Sequence, residues 1–169
     1  EVQEIRSRYD VGADHLGALE LVPERVDSGR LMRGTSELSL QVRPDNQGVL
    51  LRRKLDYAWA NQRAQVFVAR GGGDDFQLAG EWYTAGSTRG VYSNPPGELD
   101  GPQLVAQESN RRFRDDELPI AAALTRGSST LRLRIVFVPD ATPLTPAEPP
   151  PPNAWSELRY TAYSWVLAP

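Results

Sequence analysis

RRFRDDELPIAAALTRGSSTLRLRIVF, residues 111–137, decides how this chain folds. Its second half reads in one way. From Ser129 to Val138, Leu131, Leu133, Ile135 and Phe137 alternate with polar positions that include Arg132 and Arg134. That period of two belongs to a β-strand with one face in a core. Its first half is a charged strand, Arg111 to Pro119, followed by Ile120 to Leu124, which holds at most a turn or two of helix before the stop at Arg126-Gly127. In an extended chain Asp115 and Glu117 share one face and Asp116 takes the other. A strand, a short apolar corner and a second strand are what a β-sandwich uses to fold a sheet back on itself.

Upstream, the same grammar repeats. Ser36 to Arg43 places Leu38, Leu40 and Val42 on one face. Pro44 to Gly48 is a turn, with Pro44 fixing φ and Asn46 and Gly48 tolerating positive φ. Val49 to Tyr57 then completes an expected hairpin, its core face carrying Val49, Leu51, Leu55 and Tyr57. Arg53 falls on that same face and breaks the pattern, so either a bulge or a partner carboxylate is required there. Gln62 to Ala69 and Phe76 to Thr84 form a further strand pair around the loop Gly71-Gly72-Gly73-Asp74-Asp75. Residues 1–35 read as an N-terminal arm with a short first strand at Ala18 to Val22 and a loop from Pro23 to Gly34. Ala85 to Asn110 is a long loop without periodicity, of a length that is uncommon inside a compact domain.

Downstream, Pro139 to Pro152 holds seven prolines and is expected to be an extended, polyproline-like spacer. Trp155 to Leu167 is a last strand with aromatics on both faces, Trp155, Tyr163 and Trp165 against Tyr160, which predicts a central place in its sheet. The expectation is all-β: a single jelly-roll sandwich of about eight antiparallel strands with one short helical turn near 120–124, spanning residues 1–169 as one domain.

Composition removes several function classes. The net charge of −3 argues against a nucleic-acid binder that works by neutralising phosphates. No apolar run has the length of a membrane span, and no signal peptide is visible. Cysteine is absent, which excludes disulfides and thiolate chemistry. His15 is alone, a poor basis for a transition-metal site or a hydrolytic triad. The Gly71 to Asp75 loop does not have the ligand spacing of an EF-hand. No cofactor is implied.

Two residue sets are able to carry a function. The carboxylates Glu81, Asp115, Asp116, Glu117 and Glu157 are numerous enough to supply the acid and base of glycoside hydrolysis, although arginines such as Arg112, Arg114 and Arg159 stand ready to pair with them. The aromatics suit sugar stacking, because C–H faces pack on flat rings while hydroxyls seek fixed donors and acceptors. Trp82 with Tyr83 at a strand end, and Trp155 with Tyr160 after the proline run, are the expected stacking residues, with Arg112, Asp115, Asp116 and Glu117 as polar partners. Trp165 is expected in the core.

The segments Val49 to Tyr57, Arg63 to Val68 and Ala79-Gly80-Glu81-Trp82-Tyr83 resemble the galactose-binding-like jelly-roll accessory domains of glycoside hydrolases. Arg111 to Asp116, Leu131 to Ile135 and Leu158 to Trp165 are similar to the closing strands of a bacterial furanosidase family first recorded as domain of unknown function 2961. Members of that family are built from paired jelly rolls and assemble as trimers. Their catalytic glutamates lie in GEGD and GTGTEDYF segments, and this sequence contains neither. The resemblance implies a non-catalytic module that binds carbohydrate or supports a carbohydrate-active assembly, in an extracellular or cell-envelope setting, attached to further domains or forming a homo-oligomer. The alternatives are a furanosidase-like hydrolase and a self-assembling structural jelly roll.

Overall fold

Alternating side chains write nearly every described segment into strands. The computed structural model describes residues 2–9, 25–87, 89–93, 104–108, 113–139 and 153–168. In chain order the elements are β1 (Val2–Tyr9), β2 (Arg25–Met32), β3 (Thr35–Gln41), β4 (Gly48–Asp56), β5 (Gln62–Arg70), β6 (Gln77–Thr84), β7 (Arg89–Ser93), β8 (Leu104–Glu108), β9 (Phe113–Ala121), α1 (Ala122–Thr125), β10 (Thr130–Phe137), β11 (Trp155–Glu157) and β12 (Arg159–Ser164). Every pairing is antiparallel. One layer runs β3-β10-β5-β6. The other runs β1-β2-β11 and then β12-β4-β9, joined because β11 and β12 are one strand broken at Leu158.

The pairings nest. β5 pairs with β6, β4 with β9 outside that, β3 with β10 outside that, and β2 with β11 outermost. The chain is therefore a long hairpin rolled over, which adds the contacts of β10 with β5 and β12 with β4. Inward residues of both layers meet in one core: Val49 and Leu51 of β4, Ala64, Val66 and Val68 of β5, Ile120 of β9, and Leu131, Leu133, Ile135 and Phe137 of β10. Burying each large aliphatic side chain stabilises the fold by roughly 1.5–3 kcal/mol. β10 is buried at every second residue as its sequence requires, while Arg132 and Arg134 point outward to Glu37 of β3. Hydrogen bonding first to Arg134 holds the Glu37 carboxyl below its ordinary value, with Arg132 adding to the effect.

Several expectations change. Ser36–Arg43 and Val49–Tyr57 do not form a hairpin with each other; β3 and β4 lie in opposite layers and pair with β10 and β9. Alternation identifies a strand's faces but carries no information about its neighbours. The loop expected from Pro23 to Gly34 contains β2, whose Asp27-Ser28-Gly29 looks like a turn yet sits in the ladder. Gly29 is needed there: a Cβ would lie 2.5 Å from the Glu157 carbonyl oxygen and 2.8 Å from Leu158 Cα. Within the expected loop 85–110, β7 and β8 pair as a two-stranded ribbon. In the turn before β4 it is Gly48 that takes positive φ (133°); Asn46 instead is buried and accepts from the Gly48 N–H and the Thr125 hydroxyl. Trp165, expected in the core, is 47% exposed. The last strand, expected in a central place, is instead split in two: β11 pairs with β2 and β12 with β4, each as the terminal strand of its ladder. The expected strand at Ala18–Val22, His15 and the proline run lie outside the described residues. Among the described residues no helix is long and apolar enough to cross a membrane.

Candidate functional site

Arg53 organises the best-built polar cluster among the described residues. β4 keeps strict register with β9 and shows no bulge, so the inward parity of Val49 and Leu51 carries Arg53 inside as well. The partner carboxylate that its position demands is Asp116, directly opposite on β9. Arg53 Nη2 and Nε reach the two Asp116 oxygens at 2.7 and 3.1 Å, a bidentate fork. Nη1 donates to Gln62 Oε1 at 3.1 Å and to the Ser156 carbonyl at 3.2 Å, and Nη2 also donates to the Thr84 hydroxyl. Thr84 in turn donates to Asp116. Beneath this plane lies Trp155, with the guanidinium carbon 3.3 Å from its ring centroid, and Trp82 meets Trp155 edge-on at 5.5 Å. A desolvated stack of this kind contributes about 2 kcal/mol.

A second ion pair flanks the same indole. The Glu157 carboxylate is buried and accepts from Arg30 at 2.8 Å, from Ser36 at 2.9 Å and from the Tyr160 hydroxyl at 2.8 Å. Trp155 Nε1 donates to that Tyr160 oxygen at 2.8 Å. Burial, and then the Glu157 charge, push the Tyr160 phenol well above its ordinary value of 10.0. Trp155 and Tyr160 differ in parity, so simple alternation puts them on opposite faces. The break at Leu158 resets the parity and brings both inside.

The structure thus divides the expected site residues into three places. Trp82, Trp155, Tyr160 and Asp116 come together inside the sandwich, where neither indole, at 3% and 0% exposure, offers a face to solvent. Tyr83 lies on the outer surface of the β6 layer, under Arg63, which is 4.3 Å from its ring centroid and bridges to Glu81. Asp115 and Glu117 lie on the outer surface of the other layer. Arg112 lies outside the described residues. Of the carboxylates considered for hydrolysis, Asp116 and Glu157 are inside, held by Arg53 and Arg30, Glu81 is on one outer face, and Asp115 and Glu117 are on the other. Asp74 of the glycine loop accepts from Arg132, and among the described residues no cluster of three or more acidic or histidine side chains is arranged to hold a metal.

The outer face of β12, β4 and β9 contains residues that periodicity alone overlooked. Its rows follow from the register: Tyr163 beside Leu50 and Pro119, Thr161 beside Arg52 and Glu117, Arg159 beside Lys54 and Asp115. Beyond Tyr163, the Trp165 N–H donates to the Gly48 carbonyl, and its indole covers the place where Gly48 lacks a side chain; a Cβ there would lie 3.0 Å from Cε3. Tyr163 and Trp165 remain 42% and 47% exposed. Arg52 bonds Glu117 at 2.6 Å, donates to the Tyr163 hydroxyl at 3.2 Å and lies over the Tyr163 ring, its guanidinium carbon 4.8 Å from the centroid, so the ion pair is packed against one of the two rings. The signal in the sequence was an aromatic pair two residues apart on a strand whose neighbours present small or flat side chains. Elsewhere, a small open depression of about 90 Å³ is lined by Val68, Arg70, Asp75, Gln77 and Leu124, well short of the roughly 300–1,000 Å³ of ordinary ligand clefts.

No protein-family model matches the chain, and no curated protein matches it.

Proposed function

We propose that this chain is a non-catalytic jelly-roll module that binds carbohydrate through the outer face of β12, β4 and β9. The observation that carries this function is the pair of half-exposed rings, Tyr163 and Trp165, on an open sheet face next to the Arg52–Glu117 pair. Sugars need that combination, a flat apolar surface for C–H faces and held polar groups for hydroxyls. The nested pairing of eight strands supports the jelly-roll assignment. The module would act in an extracellular or cell-envelope setting, beside the further domains of a parent protein. Calorimetry against furanose and pyranose polymers tests it. Binding is expected for the wild type and lost in Trp165→Ala and Tyr163→Ala; absence of binding to every glycan refutes the proposal.

A second function, a structural jelly roll that assembles with copies of itself, is favoured by the exposure of Val166 and Leu167 next to the same rings. Light scattering distinguishes the two: a strict monomer at high concentration leaves no room for self-assembly.

A further inference from the structure

The geometry points to a ligand class for this face: a neutral, extended polysaccharide lying along β12 and read from the side, rather than a chain end or an acidic sugar. This rests on the carbohydrate function proposed above and adds length and charge selectivity to it. Three observations lead to it. The first is shape. The outward positions Arg159, Thr161 and Tyr163 of β12 and Trp165 just past its end follow one another in an extended chain, each pair about 6.6–6.8 Å apart, so the row extends roughly 20 Å. A monosaccharide fills only one step of that row.

The second is openness. Next to β12, β4 presents Gly48, Leu50 and Arg52, and beyond it β9 presents Ala121, Pro119 and Glu117, register by register. Only Arg52 reaches over the row, at the Tyr163 ring, and Gly48 is occupied by the Trp165 ring itself. A face without a wall has nothing to enclose a terminal residue, while it leaves both ends of a long chain free to continue.

The third is charge. Among the described residues the cations of the face are Arg52, Lys54 and Arg159; the anions are Glu117, Asp115 and, at the border with β2, Asp27. Arg52 is bound to Glu117, and Lys54 to Asp27, whose carboxyl is held below its ordinary value mainly by that lysine. These charges sum to zero and two of the three cations already hold a carboxylate, so a polyanion gains no net attraction. Hydroxyls, in contrast, add to the free lone pairs of Glu117 and Asp115 without breaking a pair.

The experiment is a length series. Neutral oligosaccharides of glucose, mannose, xylose, arabinose and N-acetylglucosamine, from monomer to hexamer, are titrated calorimetrically, together with their soluble polymers and with polygalacturonate. Affinity for the preferred sugar is expected to rise at least tenfold from monomer to the oligomer that spans the row and then to level off. Polygalacturonate is expected to bind at least tenfold more weakly than the preferred neutral polymer. Trp165→Ala should abolish the gain with length. Tyr83→Ala, on the opposite outer face, should leave all affinities unchanged and serves with circular dichroism as the control for folding. A monomer that binds as tightly as the hexamer, or a polyuronate that outcompetes neutral chains, overturns the ligand class while carbohydrate binding stands. If no glycan binds at all, both fall together.

Discussion

Removing the carboxylate of Asp116 should do more damage than removing the arginine it serves. The Arg53 side chain is 0% exposed, whereas that of Asp116 keeps 18%. In Asp116→Ala the guanidinium stays inside the sandwich, surrounded by two indoles, with its charge uncompensated. Deleting one partner of a buried pair costs about 3–5 kcal/mol, a large share of the roughly 5–15 kcal/mol that holds a domain folded. In Arg53→Met the remaining carboxylate still reaches water, and the unbranched Met stem still fills the space beside Trp155. Gln62 and Thr84 keep other partners, since Gln62 Oε1 also accepts from the Ser156 N–H at 3.0 Å and Thr84 donates to Asp116. The expected cost there is about 1–3 kcal/mol. In the double variant the loss of Asp116 should add little, giving a coupling energy above about 1 kcal/mol. Urea unfolding followed by tryptophan fluorescence supplies the midpoint and slope, and Trp82 and Trp155 report directly on the site. The exposed pair is the internal comparison: Glu117→Ala should cost less than about 1 kcal/mol. A cost below about 1 kcal/mol for Asp116→Ala, or an equal cost in the Arg53→Met background, would show that the guanidinium does not depend on this carboxylate.

Three further outcomes are expected. Gly29→Ala places a methyl group against the backbone at Glu157 and Leu158 and should destabilise by about 1–3 kcal/mol or more, visible as a lower melting temperature. The carboxyls of Asp27, Glu37 and Asp45 are each held below their ordinary values by a hydrogen-bonded cation, so the unfolded chain takes up protons first as pH falls. The stability they contribute is present above the ordinary carboxylate range and is lost as pH drops through and below it; Glu37→Gln should flatten that acid slope in pH-dependent urea melts. Tyr160 behaves in the opposite sense: its raised phenol keeps its proton in the fold while the unfolded chain loses it near 10.0, so stability falls as pH rises above that value. Tyr160→Phe should remove this alkaline loss, and ultraviolet titration should find one tyrosine fewer among the late-ionising groups.

What the sequence disclosed and what it hid divide along physical lines. Leu131 to Phe137 was legible because alternation is a local property of a half-buried strand. Arg53 was legible as an anomaly, and the demand for a partner carboxylate was met by Asp116, the acid that parity had already set apart from Asp115 and Glu117. The pairing of β3 with β10 was not legible, because hydrogen-bonded neighbours are chosen by the whole topology. β2 was hidden by residues, Asp27-Ser28-Gly29, whose turn propensity is overridden where only glycine fits against a crossing strand. Trp155 and Tyr160 were placed on opposite faces because a one-residue break cannot be seen in a periodicity count. Trp82 and Trp155 were offered to a sugar on the strength of their strand-end positions, but each fills the core beside Arg53. The exposed rings turned out to be Tyr163 and Trp165, which the same count had sent inward or left unassigned.

The outermost pairing of the rolled hairpin has a kinetic side. At its end Ser36 of β3 and Glu157 of β11, joined by a hydrogen bond, are 121 positions apart, and the strand that links β2 to β4 is the last described segment to be synthesised. Until β11 and β12 arrive, β2 and β4 have no shared strand to pair with, and each presents an unpaired edge. Contacts of such long separation slow folding, so this chain should acquire its native state late and in one cooperative step, and its incomplete forms should be the ones that need protection from aggregation.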